Sequence, residues 1–267
     1  ISGSVEAIAA LRASGRRVVF VTNNSAATRS DHEAALEKIG IAASGDVVSS
    51  AMAAARLVEP GERVLVAGGP GVVEAVAARG AVAVSNDGTV APDGFDAVVV
   101  GLHRDFDFER LTVASAAVRA GARLIGTNTD STYPTPIGLQ PGGGAILAAI
   151  ATAADTEPVI GGKPHRPMAD LIAELIAAAG VAVGGGADDA FDPSSVVMVG
   201  DRPETDGVFA ARLGCRFALV RTGVTSAAAG PAPDIAIEMI AEQFGDITVD
   251  LDAPDLRAVA DRIVSVP

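Results

Sequence analysis

The sequence predicts an α/β fold: a doubly wound, mostly parallel sheet with helices on both faces. Three observations carry this expectation. Short Val- and Ile-rich runs alternate with longer Ala- and Leu-rich stretches at helical spacing, the pattern of βαβ units joined by right-handed crossovers. The short runs are apolar throughout instead of alternating, as strands covered on both faces must be. Several of them end in Gly, Asn or Asp, at Asn23, Gly68, Gly101, Gly161 and Asp201, where open α/β sheets bind their ligands.

In chain order, a helix is predicted over Val5 to Ala13, then a strand from Arg17 to Val21 and a helix from Arg29 to Ile39. Strands at Arg63 to Ala67 and Asp96 to Val100 flank a helix over Val72 to Ala78. The helix Phe108 to Ala120 leads to a weaker strand at Arg123 to Ile125, and the helix Gly144 to Ala154 to another at Pro158 to Ile160. A helix over Met168 to Ala179 precedes Gly184-Gly185-Gly186 with Asp188 and Asp189, which reads as a solvent loop. Strand Ser195 to Val199, helix Glu204 to Leu213 and the weaker strand Phe217 to Val220 follow. The acidic stretch Asp246 to Asp255, with Pro254, reads as a turn before a last helix from Leu256 to Ile263. No internal repeat or low-complexity linker divides the chain.

The 267 residues suffice for one large α/β domain or two smaller ones with separate cores. With 49% hydrophobic residues, no Trp and a single tyrosine, Tyr133, the core must be built from small and branched aliphatic side chains. A net charge of -13 disfavours a nucleic-acid-binding face and means that an anionic ligand must meet a local positive site. The lone Cys215 excludes an intrachain disulfide framework and a Cys-based zinc site, and reads as a small buried apolar residue. No apolar run reaches membrane-span length and no signal peptide precedes the first helix, so a cytoplasmic enzyme without a membrane partner is expected.

Three segments carry candidate chemistry. Phe20-Val21-Thr22-Asn23-Asn24-Ser25 is a buried strand breaking into hydroxyl and amide side chains. Such an end forms an anion cradle, or an ordinary polar turn with a helix cap. Ile160-Gly161-Gly162-Lys163-Pro164-His165-Arg166-Pro167 runs a short strand into two glycines and a lysine whose backbone the next proline restricts. That point cation suits a phosphate or a neighbouring carboxylate. Val199-Gly200-Asp201-Arg202-Pro203-Glu204-Thr205-Asp206-Gly207 delivers Asp201 at a strand tip and Asp206 on the following helical turn. Two carboxylates so placed suit one magnesium ion; a capping-box arrangement of Asp201 and Glu204 is the plainer reading, and the two are compatible.

Taken together and in this order, the three segments resemble motifs two, three and four of the haloacid dehalogenase superfamily. Within it, the chain resembles the NagD-like branch of p-nitrophenyl phosphatases, phosphoglycolate and glycerol-phosphate phosphatases, and pyridoxal-phosphate phosphatases. The resemblance extends over nearly the whole chain, through Gly126-Thr127-Asn128-Thr129-Asp130 with Pro134, Pro141-Gly142-Gly143-Gly144 and Thr222-Gly223-Val224. It implies an Mg2+-dependent phosphatase of small phosphorylated metabolites, acting through an aspartyl-phosphate. By the same resemblance Thr22 binds the transferring phosphoryl oxygens with Asn23 and Asn24, and Lys163 bridges phosphate and nucleophile. Asp201 ligates magnesium, and Asp206 supports the metal directly or through water. The catalytic set is then Lys163, Thr22 and Asp206. A large α/β cap would be inserted at residues 46–156, leaving 1–45 and 157–267 as the core domain. Tyr133 would touch the substrate from the cap's substrate-selecting loop, or pack beneath the cap. Caps of this branch make dimer contacts, so a homodimer is a candidate assembly.

The sequence departs from the family pattern in three places. Gly207 stands where a bulky aliphatic residue is usual, which would loosen the helix start. His165 and Arg166 replace small or apolar residues and are expected to face solvent. The third departure is that the family's Asp-x-Asp-Gly strand, which supplies nucleophile and acid/base, occurs nowhere in the chain. Its expected place is just before Ile1, ahead of the loop Ile1-Ser2-Gly3-Ser4. Without it two neighbouring strands would lose a ladder partner, and the chain alone would be inactive and unstable. A non-catalytic phosphate-ligand binder is the competing reading, and a mutase or phosphonatase of the same superfamily a third.

Overall fold

The computed structural model describes residues 1–135, 137–178, 192–223 and 247–265. The loop at Gly184 to Asp189, together with Val224 and Asp246, lies outside the described residues. The chain divides into two compact units: residues 1–19, 37–42 and 169–267 form one, and residues 20–36 and 43–168 the other. Both of the expected cap boundaries, at 46 and at 156, fall inside the second unit.

The second unit is built on a five-stranded parallel sheet of β3 (Arg63–Ala67), β4 (Val82–Ser85), β5 (Ala97–Val100), β6 (Arg123–Gly126) and β9 (Val159–Ile160), in the order β4-β3-β5-β6-β9. Because successive strand residues face opposite ways, each strand feeds two cores. Leu65, Val98, Val100 and Leu124 pack against α5 (Phe108–Arg119) and α6 (Gly143–Ala154) through Val118, Ile146 and Ile150. Val64, Val66, Val99 and Ile125 pack on the other face, against α3 (Ser50–Ala55) and α4 (Pro70–Ala78) through Ala54, Val72 and Val76. This is the doubly wound α/β arrangement that the sequence predicts. The same unit holds a short parallel pair, β1 (Phe20–Thr22) with β2 (Val47–Ser49), followed by α2 (Arg29–Glu37) after β1. It also holds an antiparallel pair, β7 (Thr132–Thr135) with β8 (Gly138–Pro141).

The first unit carries a three-stranded parallel sheet ordered β10 (Val197–Gly200), β11 (Arg216–Val220) and β12 (Leu251–Ala253). Ala218, Val220 and Ala253 pack with Val259 of the last helix, α9 (Leu256–Val264). That helix in turn meets α1 (Ser4–Ala13) through Ala7, Leu11 and Ala260. Between β10 and β11, α8 (Val208–Leu213) covers Phe217 and Leu219 through Ala210. Helix α7 (Arg166–Ala178) runs across the division between the units. Among the described residues β1 pairs only with β2 and β10 only with β11, so each stands at a sheet edge.

Several details differ from the sequence reading. The stretch Arg17 to Val19 is not strand, and β1 begins at Phe20. Strands β2, β4, β7, β8 and β12 were not predicted, nor was α3, which follows β2 without a loop because Ser49 both ends the strand and caps the helix at the Met52 N–H. The acidic stretch read as a turn contains β12. The helix expected from Glu204 starts as one wide π-turn over Pro203–Gly207. Gly207 closes this turn, and a Cβ there would lie 2.9 Å from Ile247 Cγ2 and 3.2 Å from Phe217 Cε1, so there is no room for the bulky aliphatic residue usual in the family. Cys215 is half-buried, and that burial raises its thiol above the ordinary value. Among the described residues no helix is long and apolar enough to cross a membrane.

Candidate active site

The second unit gathers its chemistry at the carboxyl ends of its parallel strands. The strand order reverses between β3 and β5, and such a switch point leaves a crevice. The turn after β1 fills it. Ser25 is fully buried and its Oγ accepts from Thr127 Oγ1 at 3.0 Å and from the Leu102 N–H at 3.4 Å. The Gly71 N–H donates to Ala26 O at 3.1 Å. Glycine is required for this approach, since a Cβ at Gly71 would lie 2.0 Å from Ala27 O and one at Gly101 2.6 Å from Ser25 Oγ.

The residues of the first predicted motif take different places in this turn. Thr22 ends β1, and its Oγ1 accepts from the Asn24 N–H at 3.0 Å, which leaves the hydroxyl proton to donate elsewhere. Asn24 is exposed, and its Oδ1 accepts from the Ala26 N–H at 3.0 Å. Asn23 turns inward. Its Oδ1 accepts from the Lys163 N–H at 3.0 Å, while its Nδ2 donates to Lys163 O at 3.1 Å. The first and second predicted motifs are therefore joined directly. Lys163 is buried, Arg166 is exposed and His165 is half-buried.

Tyr133 lies on β7 opposite Gln140 of β8, and its hydroxyl donates to Gln140 Oε1 at 2.8 Å. The guanidinium carbon of Arg104 sits 5.9 Å from the centre of the ring, within cation–π range. One residue earlier, His103 follows the end of β5 and its Nε2 lies 3.0 Å from Asp105 Oδ1. Burial holds its imidazole below the ordinary value, Asp105 and Asp107 pull the other way, and Arg110 adds to the lowering.

The third motif belongs to the first unit. Asp201 follows β10, and the buried Asp206 turns back so that its Oδ2 accepts from the backbone N–H groups of Asp201 at 3.2 Å and Arg202 at 3.3 Å. Two glycines make room for the two carboxylates: a Cβ at Gly200 would lie 2.2 Å from Asp206 Oδ2, and one at Gly223 1.9 Å from Asp201 Oδ2. Among the described residues no cluster of three or more His, Cys, Asp or Glu forms a closed metal cage. A pair of hard-oxygen donors fits an ion that takes one or two protein carboxylates and completes its shell with water and phosphate.

Ser50 was not singled out in the sequence, and Asn128 and Asp130 were named there only within the family resemblance, with no role assigned. Ser50 Oγ and Asn128 Nδ2 both donate to Asn23 O at 2.7 Å, and Asn128 Oδ1 accepts from the Asp130 N–H at 3.0 Å. The polar run Thr127-Asn128-Thr129-Asp130 directly after a strand was the available signal.

Comparison with known proteins identifies the family. Residues 1–82 match the family model of haloacid dehalogenase-like hydrolases, and residues 160–247 match a HAD-hydrolase-like model. The chain is 36% identical over 230 residues to a D-glycerol 3-phosphate phosphatase of Mycobacterium tuberculosis, covering 84% of this chain and 59% of that protein. It is thus shorter than that relative by a wide margin. It is 33% identical over 231 residues to an acid sugar phosphatase of Staphylococcus saprophyticus, covering 85% of this chain and 82% of that one. The crystal structure of a glycerol phosphate phosphatase from Mycobacterium tuberculosis in complex with magnesium matches with a TM-score of 0.77 at 32% identity, covering 97% of this chain and 70% of that chain. On its motifs, its parallel α/β architecture and these matches, the chain belongs to the haloacid dehalogenase-like hydrolases, in their NagD-like phosphatase branch.

Proposed function

We propose that the protein hydrolyses small phosphate monoesters, of the glycerol-phosphate, phosphoglycolate, sugar-phosphate or p-nitrophenyl phosphate type, with Mg2+ as cofactor. One observation carries the reading: the Asn23 carboxamide bonds both main-chain polar groups of Lys163. A hydroxyl-bearing strand end and a buried cation thereby share one strand-end cluster in a chain of net charge -13. Phosphoryl transfer asks for this combination, because positioning and neutralisation of the phosphoryl oxygens supply most of the catalysis.

In this reading Thr22 Oγ1 donates its proton to a phosphoryl oxygen, Asn24 Nδ2 donates to a second, and Lys163 neutralises the group. Asp201 would hold a magnesium ion, with Asp206 supporting it. Bound there, the ion would draw negative charge from the phosphoryl oxygens. The carboxylate that attacks phosphorus comes from an Asp-x-Asp-Gly strand, which this sequence does not contain. Attack expels the alcohol, and water then cleaves the aspartyl-phosphate to free phosphate. The hairpin with Tyr133 selects the leaving group.

The test is turnover of p-nitrophenyl phosphate and glycerol 3-phosphate by the protein made from its complete coding sequence. Activity should require magnesium and disappear with a chelator. Lys163→Ala and Asp201→Asn should each lower kcat by on the order of 100- to 1,000-fold. Binding of a phosphorylated metabolite without any turnover would favour the non-catalytic reading instead.

A further inference from the structure

We infer that Asn23 is a positioning residue: its carboxamide aims Lys163 and is not itself a phosphate ligand. The inference rests on the phosphatase reading above for what Lys163 does, but its geometry is independent of it. A phosphate oxygen needs a donor, and a carboxamide has two N–H groups. One donates to Lys163 O at 3.1 Å; the same nitrogen lies 3.5 Å from Asp130 Oδ1. The Lys163 N–H occupies Oδ1 at 3.0 Å. Rotating the amide by half a turn would set donor against donor and acceptor against acceptor, so the pairing itself determines its orientation.

The carboxamide thus takes the part of a neighbouring strand. It satisfies both polar groups of Lys163 immediately after the Gly161–Gly162 turn, where β9 has ended. Gly162 is the place where this contact needs space: a Cβ there would lie 2.8 Å from Asn23 Oδ1 and 2.3 Å from Thr127 O. Asn23 is in turn held by its own carbonyl, which accepts from Ser50 Oγ and Asn128 Nδ2, both at 2.7 Å. Through Asn128 and Asp130 the same network reaches the segment that leads into the Tyr133 hairpin. The cation and the loop that selects the substrate are therefore referred to one side chain.

A double-mutant cycle on the protein from its complete coding sequence tests this. Asn23→Ala should lower kcat/KM about 10- to 100-fold, the usual cost of misplacing a catalytic group by a fraction of its reach. In a Lys163→Met background the same change should cost less than about twofold, because there is no ammonium left to aim. An equal loss in both backgrounds would mean that Asn23 acts on the substrate independently, and would overturn the inference. Should Lys163→Met leave no measurable turnover, the same cycle is read on the affinity for inorganic phosphate. Hydrogen exchange provides a readout that needs no activity. The Lys163 amide should be protected in the wild type and in Asn23→Asp, which keeps the acceptor, and should lose protection in Asn23→Ala. Absence of phosphatase activity in the wild type would sink the functional reading alone; unchanged exchange at Lys163 in Asn23→Ala would sink the positioning role whatever the activity.

Discussion

Gly223 and Gly200 show how a missing side chain can define a site. The Asp201 and Asp206 carboxylates occupy the spaces where Cβ atoms at these positions would lie. Gly223→Ala must displace the Asp201 carboxylate, whose Oδ2 would be 1.9 Å from the new methyl. Under the proposed function, the magnesium concentration for half-maximal activity should rise on the order of 10- to 100-fold, as for other changes to groups that orient a metal ligand. A titration with magnesium at saturating substrate measures this, and an unchanged midpoint would overturn the proposal that Asp201 is a magnesium ligand. His103 gives a pH-dependent counterpart. Its folded value lies below the ordinary 6.5, with burial the leading cause. The unfolded chain therefore binds more protons than the folded chain just below that value. The stability contributed by neutral His103 is complete above about pH 6.5 and is lost as the pH falls from there towards the folded value. Thermal melts of the wild type should drop more steeply below about pH 6.5 than those of His103→Asn.

At the scale of elements, the turn from β10 into α8 depends on a glycine that local propensity does not explain. Ile247 and Phe217 leave no room beside Gly207, so Gly207→Leu should cost about 1–3 kcal/mol by overpacking. Chemical denaturation checks the value, and a stabilised variant would mean that the π-turn relaxes to accept the side chain. β3, β5 and β11 were legible because buried parallel strands are continuous apolar runs, and the positions of Asp201 and Lys163 just after strands because such runs end in polar residues. β7 carries Pro134 in a polar surrounding and lacks that signature, whereas the short apolar run Val82-Ala83-Val84 of β4 carries it and was not read as a strand. The pairing of Asn23 with Lys163 spans 140 positions and has no local trace. Asn23 was therefore legible as a polar strand end but not as the support of the lysine.

Across the whole molecule, the two units have separate cores, one on each side of the division near residues 19 and 169. Phe217 is fully buried in the first unit and Leu65 in the second. Phe217→Ala should remove about 3–5 kcal/mol from its own unit, and Leu65→Ala about 2–5 kcal/mol from the other. Calorimetry should then show two transitions that these variants move separately; one transition that both shift equally would mean that the units unfold as a single cooperative body. The hairpin of β7 and β8 has a further consequence. Its two ends are tied together where the Gly142 N–H meets Ser131 O at 2.8 Å and the Gly144 N–H meets Asp130 O at 3.0 Å. Between those anchors its strands pair with each other and with no other strand among the described residues. A segment closed at its base in this way can lengthen, shorten or change its side chains without altering the spacing of the sheet beneath. Under the proposed function, an exchanged hairpin would alter the leaving group accepted while the Lys163 turn keeps its hydrogen bonds to Asn23.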